Sequence, residues 1–280
     1  MIAFDIGGTN SRITLFDQGK IVLREEAPTP SREGPEAVVQ NMLALHSRLG
    51  ALDELDAPVG VAIAGHIVDG RVTAHNEALL TGWNDYPLQS KLSAELGRTV
   101  HILNDARAAA WGEYIFGAGR GIDEFLFITV STGVGAGLVL NRRLHIARNG
   151  FDAEIGVTRT EGGAMLEDLA SGSALARMAA QNGYASGKAL CDAADQGDAR
   201  AEAMLRHGIR EIAKKLADLA VMLGVQRVAV GGSVGLRPGY LERLRDELAQ
   251  LGQLYQIELV HAQLGHDAGL YGVAALAQGS

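Results

Sequence analysis

The residues able to do chemistry in this chain fall at the ends of apolar runs. In Asp5-Ile6-Gly7-Gly8-Thr9-Asn10 an acid closes a short apolar stretch and two glycines follow. Glycines let the main chain fold tightly and turn several N–H groups toward one point, and such a nest of donors takes an anion such as phosphate. Asp5 beside that nest suits a hydrated Mg²⁺, a hard ion that keeps most of its waters. Thr9 and Asn10 add polar side chains that phosphate oxygens can use. The same residues also describe an ordinary glycine hairpin with a solvated acid, and both readings stay open. A second glycine turn, Ser131-Thr132-Gly133-Val134-Gly135-Ala136-Gly137, sits between two further apolar runs. A third, Gly231-Gly232-Ser233, can pass close under a flat base or ribose because no side chain stands in the way. Asn104-Asp105 lies between an apolar run and an alanine-rich stretch. Asp105 there is the candidate base for an attacking hydroxyl, with Asn104 fixing the acceptor. Asn and Asp are equally favoured as helix N-caps, and one residue can cap while the other reacts. Glu154 and Glu167 suit sugar hydroxyls. A solvated loop acid and a first-turn acid favoured by the helix dipole are the plainer readings.

The elements that must position these groups can be read from periodicity. Residues 2–4 and 13–16 form strands on either side of the first glycine turn, and 20–26 a third. Residues 36–49 repeat apolar positions at helical spacing, 58–64 is an apolar strand, and 65–82 is loop with a short strand. A helix at 87–96, a strand at 100–103 and a helix at 106–114 follow, giving β-β-β-α-β-α-β-α. The pattern then restarts with strand, glycine turn and strand at 124–140, which suggests a duplicated architecture rather than two unrelated hairpins. A single helix is expected over 165–178, a long amphipathic one over 199–223, a strand at 228–230, a helix over 238–251, a last strand at 257–260 and a small-residue helix at 266–277. Alternating strands and helices point to α/β layers with mainly buried sheets.

Composition bounds the function. The 280 residues suit two domains or one large one. A net charge of −8 argues against a nucleic-acid surface, which needs a basic stripe. One cysteine, Cys191, excludes an internal disulfide and a cluster of zinc-binding thiolates. The histidines are scattered without metal-ligand spacing. No signal peptide or membrane span is evident, and a cytoplasmic location is expected.

In this order, DIGGTN, NDARAAAWGEY, STGVGAG, AEIG followed by LEDLASG, VGGSVG and the closing HDAGLYGVAALAQG together resemble the ROK family of sugar kinases. Within the family the likeness is to the bacterial N-acetylmannosamine kinases, and it covers essentially the full chain. The resemblance implies an α/β, actin-like ATPase (ribonuclease H-like) fold with two lobes around a cleft. Residues 1–106 plus about 262–280 would form one lobe and 107–261 the other. It implies ATP and Mg²⁺, and transfer of the γ-phosphoryl group to a sugar 6-hydroxyl, with cleft closure on the sugar. Asp5, Gly7, Gly8, Thr9 and Asn10 would face phosphates and metal, joined by Thr132 and Gly133 from the other lobe. Asn104, Asp105, Glu154 and Glu167 would hold the sugar, with Asp105 as base. Gly65 falls where the family's sugar loop begins, and Asn76 and Glu77 lie in that loop. A homodimer is expected from the family alone.

One departure stands out. The family usually follows AEIG with a histidine that touches both the sugar and a structural zinc. Here that position is Val157 and the cysteine cluster is missing, so no zinc is expected and the 157–165 loop should be shorter. The acceptor implied is N-acetylmannosamine, used in sialic-acid breakdown, with glucose or N-acetylglucosamine as alternatives. A sugar-responsive repressor would carry an N-terminal helix-turn-helix, and the chain opens instead on the phosphate strand. An actin-like assembly ATPase would turn over without sugar.

Overall fold

In the computed structural model, residues 1–50, 57–74, 77 and 80–279 are described. The first part of the chain runs β1 (Ile2–Ile6), β2 (Asn10–Asp17), β3 (Lys20–Pro28), α1 (Pro35–Arg48), β4 (Val59–Ile63), β5 (His66–Val68), β6 (Arg71–Thr73), α2 (Leu88–Leu96), β7 (Val100–Asn104) and α3 (Asp105–Phe116). Then follow β8 (Phe125–Val130), β9 (Val134–Leu140), β10 (Arg143–Leu144), α4 (Leu166–Ala170), α5 (Gly172–Asn182), α6 (Gly187–Asp195) and α7 (Ala199–Leu223). The chain closes with β11 (Arg227–Gly231), α8 (Gly232–Gly235), α9 (Tyr240–Ala249), β12 (Glu258–His261) and α10 (Ala268–Gln278).

Two compact units result. Unit 1 comprises Met1–Phe116, Ile146–Asp152 and His266–Ser280, and unit 2 comprises Gly117–His145 and Ala153–Gly265. Each holds a five-stranded sheet, ordered β3-β2-β1-β4-β7 in unit 1 and β10-β9-β8-β11-β12 in unit 2. The two orders share one plan: an antiparallel hairpin, then parallel additions on the far side of its first strand. The duplicated pattern read from the sequence is therefore a duplicated sheet topology. Strands covered on both faces are mainly apolar: all five residues of β4 are buried, while the edge strand β12 keeps Glu258 and His261 exposed.

The helix α10 packs on α3 and on β4 at unusually short range, and small residues make this possible. A Cβ on Gly272 would stand 1.7 Å from the Ala108 carbonyl oxygen, and one on Gly112 2.2 Å from that of Ala268. A Cβ on Gly60 would meet the Val273 oxygen at 2.3 Å. The contacts of α10 with α3, and with β4 at Gly60, are thus backbone against backbone.

Several expectations need correction. The boundary placed at 106/107 falls after Phe116, because α3 packs on α10 in unit 1, and the later boundary falls at 265/266. The segment Ile146–Asp152 also belongs to unit 1. The single helix over 165–178 is two helices. Ser171 interrupts it in extended conformation and caps α5, its Oγ accepting from the Ala174 N–H at 3.0 Å. The helix α6 went unrecognised, and the 65–82 stretch contains a two-stranded hairpin, β5-β6.

Candidate functional site

In unit 1 the first glycine turn joins β1 to β2. The Gly7 N–H closes it on the Asn10 carbonyl at 3.0 Å. Among the described residues, the next two N–H groups, of Gly8 and Thr9, are not engaged by the chain. Thr9 and Asn10 are exposed. This is the donor nest that an anion requires. Asp5 sits opposite Arg12 in the hairpin register and its carboxylate is paired with that guanidinium. Arg12 also donates to the His266 carbonyl at 2.7 Å and reaches Asp267 Oδ1 at 3.4 Å. Burial pushes the Asp5 carboxyl above its ordinary value, and the Arg12 charge opposes that rise. Asp267 shares the Arg12 guanidinium with Asp5, and a carboxylate oxygen donor of this kind suits Mg²⁺ held through water.

At the end of β7, Asn104 is buried and Asp105 exposed. Asn104 is the cap of α3: its Oδ1 accepts from the Ala106 N–H at 3.0 Å and the Arg107 N–H at 3.3 Å. Its Nδ2 donates to the Gly65 carbonyl at 3.1 Å. The capping alternative is therefore realised by Asn104, while Asp105, with Oδ1 on the Ala106 N–H at 2.8 Å, remains the exposed acid. Gly65 has φ of +126° and lies against the Thr73 carbonyl, so no other residue fits there. Glu77 is exposed, and its Oε1 accepts from the Gly82 N–H at 2.8 Å. Asn76 lies outside the described residues.

Unit 2 repeats the first turn. The Ser131 N–H bonds the Gly133 carbonyl at 2.9 Å, and the N–H groups of Thr132 and Gly133 are not engaged among the described residues. Glu167, in the first turn of α4, accepts from the Val134 N–H at 3.3 Å. A Cβ on Gly133 would stand 2.8 Å from Glu167 Oε2, and one on Gly156 2.2 Å from the Val134 carbonyl. The turn, the Glu154-Ile155-Gly156 segment and Glu167 are thus brought together. The start of α5 pins the same turn: Gly172 N–H donates to the Ser131 carbonyl at 2.7 Å and Ser173 Oγ to the Thr132 carbonyl at 2.8 Å. Gly231-Gly232-Ser233 forms the passage from β11 into α8, with Gly232 at φ +85° and tight under the end of β8. Ser233 is exposed.

Each unit therefore assembles its own share of the sequence candidates. Asp5, Gly7, Gly8, Thr9, Asn10, Gly65, Asn104 and Asp105 belong to unit 1. Thr132, Gly133, Glu154, Glu167, Gly231, Gly232 and Ser233 belong to unit 2. The sequence reading missed Arg12, which the hairpin register places opposite Asp5 and which could have been found by counting back from the turn. It also missed the Ser171–Ser173 pin and the partners of Arg107 and Asp152. Arg107 and Asp152 stand 45 residues apart with no local signal linking them.

The 157–165 loop is closed by hydrogen bonds. An antiparallel bridge joins Arg159 to Met165, and Thr160 N–H and Oγ both bond the Ala164 carbonyl at 2.9 and 3.1 Å. Cys191 is buried within α6. No cluster of three or more His, Cys, Asp or Glu able to hold a metal occurs among the described residues.

Known proteins resemble this chain in sequence and fold. The family model described as ROK family matches residues 1–280. The N-acetylmannosamine kinase of Escherichia fergusonii is 38% identical over 291 residues, covering 99% of this chain and 98% of that protein. The bifunctional enzyme NanE/NanK of Brucella melitensis is 36% identical over 289 residues, and the chain spans 54% of its length. Among solved structures, the ROK family glucokinase from Streptomyces griseus, in complex with glucose and AMPPNP, has TM-score 0.82 at 32% identity, covering 100% of this chain and 99% of that one. The ROK hexokinase from Thermus thermophilus has TM-score 0.84 at 31% identity, with 99% and 97% covered. The fold is thus the actin-like ATPase fold, and this chain belongs to the ROK family.

Proposed function

We propose that this chain is an ATP-dependent kinase that phosphorylates the 6-hydroxyl of N-acetylmannosamine in sialic-acid breakdown. The observation that carries the reading is full-length similarity, at 34–38% identity, to several N-acetylmannosamine kinases covered over at least 93% of their own lengths. The chain spans about half the length of the bifunctional NanE/NanK relatives it matches.

In this reading the paired N–H groups of Gly8–Thr9 and Thr132–Gly133 bind phosphate oxygens. Asp105 accepts the proton of the sugar hydroxyl as its oxygen bonds phosphorus, and ADP leaves. Asn104 holds Asp105 at the head of α3 and draws in the Gly65 loop. Glu154 and Glu167 bind sugar hydroxyls, and Gly231–Ser233 leaves room for the nucleoside. Asp5 would hold Mg²⁺ through water, and that ion, when bound, neutralises charge on the phosphates. We further propose a metal-free 157–165 loop, a homodimer and a cytoplasmic location. The loop's own hydrogen bonds support the first of these; the other two rest on the family.

A glucose-directed enzyme is the second reading, favoured by the 32% identity to the Streptomyces griseus glucokinase. A coupled ADP-release assay across N-acetylmannosamine, N-acetylglucosamine, glucose and mannose tests both. N-acetylmannosamine should give the highest kcat/KM. A preference for glucose would select the second reading, and sugar-independent turnover would reject both.

A further inference from the structure

Arg107 is the third residue of α3, and Asp152 closes the short segment Ile146–Asp152 that joins unit 1 between two stretches of unit 2. Arg107 Nη2 lies 2.8 Å from Asp152 Oδ1, with side chains 3% and 0% exposed. The same guanidinium donates to the Gly150 carbonyl at 2.6 Å and to the Asp152 carbonyl at 3.3 Å. An arginine fork taken fully out of water is stable only when its donors and its counter-charge are satisfied together, and this segment supplies both. On its other edge the segment is held by His66. The His66 Nε2–H donates to the Asn149 carbonyl at 2.7 Å, and its ring lies against that of Phe151, with centroids 4.4 Å apart and planes tilted by 36°. Gly150, at φ +71°, lets the main chain lie directly under that ring.

These contacts join three pieces of chain. Arg107 follows the exposed acid Asp105 by two residues, and Asn104 ties the same helix start to Gly65. His66 is the next residue after Gly65, and Glu154 is the second residue after Asp152. Two residues reach at most about 7 Å, so anchoring Asp152 limits where Glu154 can go.

We propose that the buried Arg107–Asp152 pair, seconded by His66, is a positioning clasp for the sugar acceptor. It fixes the 146–152 strap to the helix that carries Asp105 and so tethers Glu154. Arg107 and Asp152 are positioning residues that need not touch the sugar. The proposal rests on the kinase reading above, and the two can fail separately because strap anchoring has a readout that needs no turnover.

The experiment uses the full chain carrying Arg107→Gln, Asp152→Asn or His66→Ala. Arg148, exposed within the strap, makes the strap a trypsin site. Cleavage after Arg148, located by mass spectrometry, should accelerate at least tenfold in Arg107→Gln and Asp152→Asn, and severalfold in His66→Ala. The sugar KM should rise about tenfold or more while the ATP KM stays within about twofold, since only the acceptor side is loosened. A sugar KM that is unchanged, or that rises in step with the ATP KM, overturns the clasp, as does unaltered cleavage at Arg148. Should either charge variant fail to fold, His66→Ala decides, since it removes the strap's other anchor without stranding a buried charge. Absent kinase activity in the unsubstituted chain would defeat the functional reading, and the cleavage rates would still judge the clasp.

Discussion

At the scale of the residue, the acid at the head of α3 and the acid at the end of β1 stand in opposite circumstances. Asp105 is exposed, flanked by the buried Asn104 and Ala106. The cap made by Asn104 leaves Asp105 exposed, as the proposed base role requires. Asp105→Asn should leave ATP binding within about twofold and lower kcat by roughly 10²–10⁴-fold, the usual cost of losing a general base. Nucleotide titration beside steady-state kinetics checks this, and near-normal turnover would remove Asp105 from the role. Asp5 is largely buried and balanced by Arg12. Burial favours its neutral form, so its carboxyl titrates above 3.8. A raised carboxyl pKa contributes stability at low pH that is lost as pH rises through the folded value. In Arg12→Met the offsetting charge is gone. We expect a loss of about 1–3 kcal/mol near neutral pH, shrinking as pH falls through the raised value and Asp5 takes up a proton. Thermal melts of both proteins across that range test the sign; a gap that widens toward acid would refute it. The acid and its glycines were legible in the sequence because turn chemistry is local. The counter-charge was legible only through the hairpin register that pairs Asp5 with Arg12.

At the scale of the element, the packing of α10 on α3 sets the floor beneath Asp105. The closing helix reads as small-residue in sequence, and that composition is what lets the two backbones meet. Any side chain at Gly272 would have to displace the Ala108 carbonyl, which would lie 1.7 Å from the added Cβ. Overpacking in a rigid core costs about 1–3 kcal/mol, and here backbone must move, so Gly272→Ala should fall at the upper end of that range. The denaturant midpoint should drop with an unchanged slope. Gly162→Ala serves as a control because its Cβ would meet nothing within 4 Å. Helix breaks were harder to read. Apolar spacing continues across Ser171, so periodicity alone runs α4 and α5 together. The signal that separates them is the cap, a serine with its oxygen on the N–H three residues on. The same break lets Gly172 and Ser173 reach the second glycine turn, so the misread residue is also a structural part of the site.

At the scale of the whole molecule, neither unit is a continuous piece of chain. Sequence patterns say where a helix starts, but not which sheet it covers. That is why the sequence pattern puts a boundary at 106/107, although α3 follows β7 without a break and stays in its unit, and carries no sign of the 146–152 strap. The interleaving has an energetic consequence. Unit 1 is completed by its last segment, in which Ala268, Leu270, Val273, Ala274 and Ala277 are buried. Burying one large aliphatic side chain is worth about 1.5–3 kcal/mol, and Leu270 and Val273 together approach the lower end of a domain's net stability of about 5–15 kcal/mol. The segment also brings Asp267, which pairs with Arg24 at 2.7 Å and with Arg12. Removing residues 266–280 should therefore unfold unit 1 while leaving the unit 2 sheet, whose strands all precede the cut. Hydrogen exchange on the truncated chain should show β1, β4 and β7 exchanging freely and β8 and β11 still protected. Retained protection in β1 and β4 would mean that the first 116 residues hold their own core, and the close contact of α10 with Gly60 and Gly112 would then be a consequence of the fold and not a condition for it.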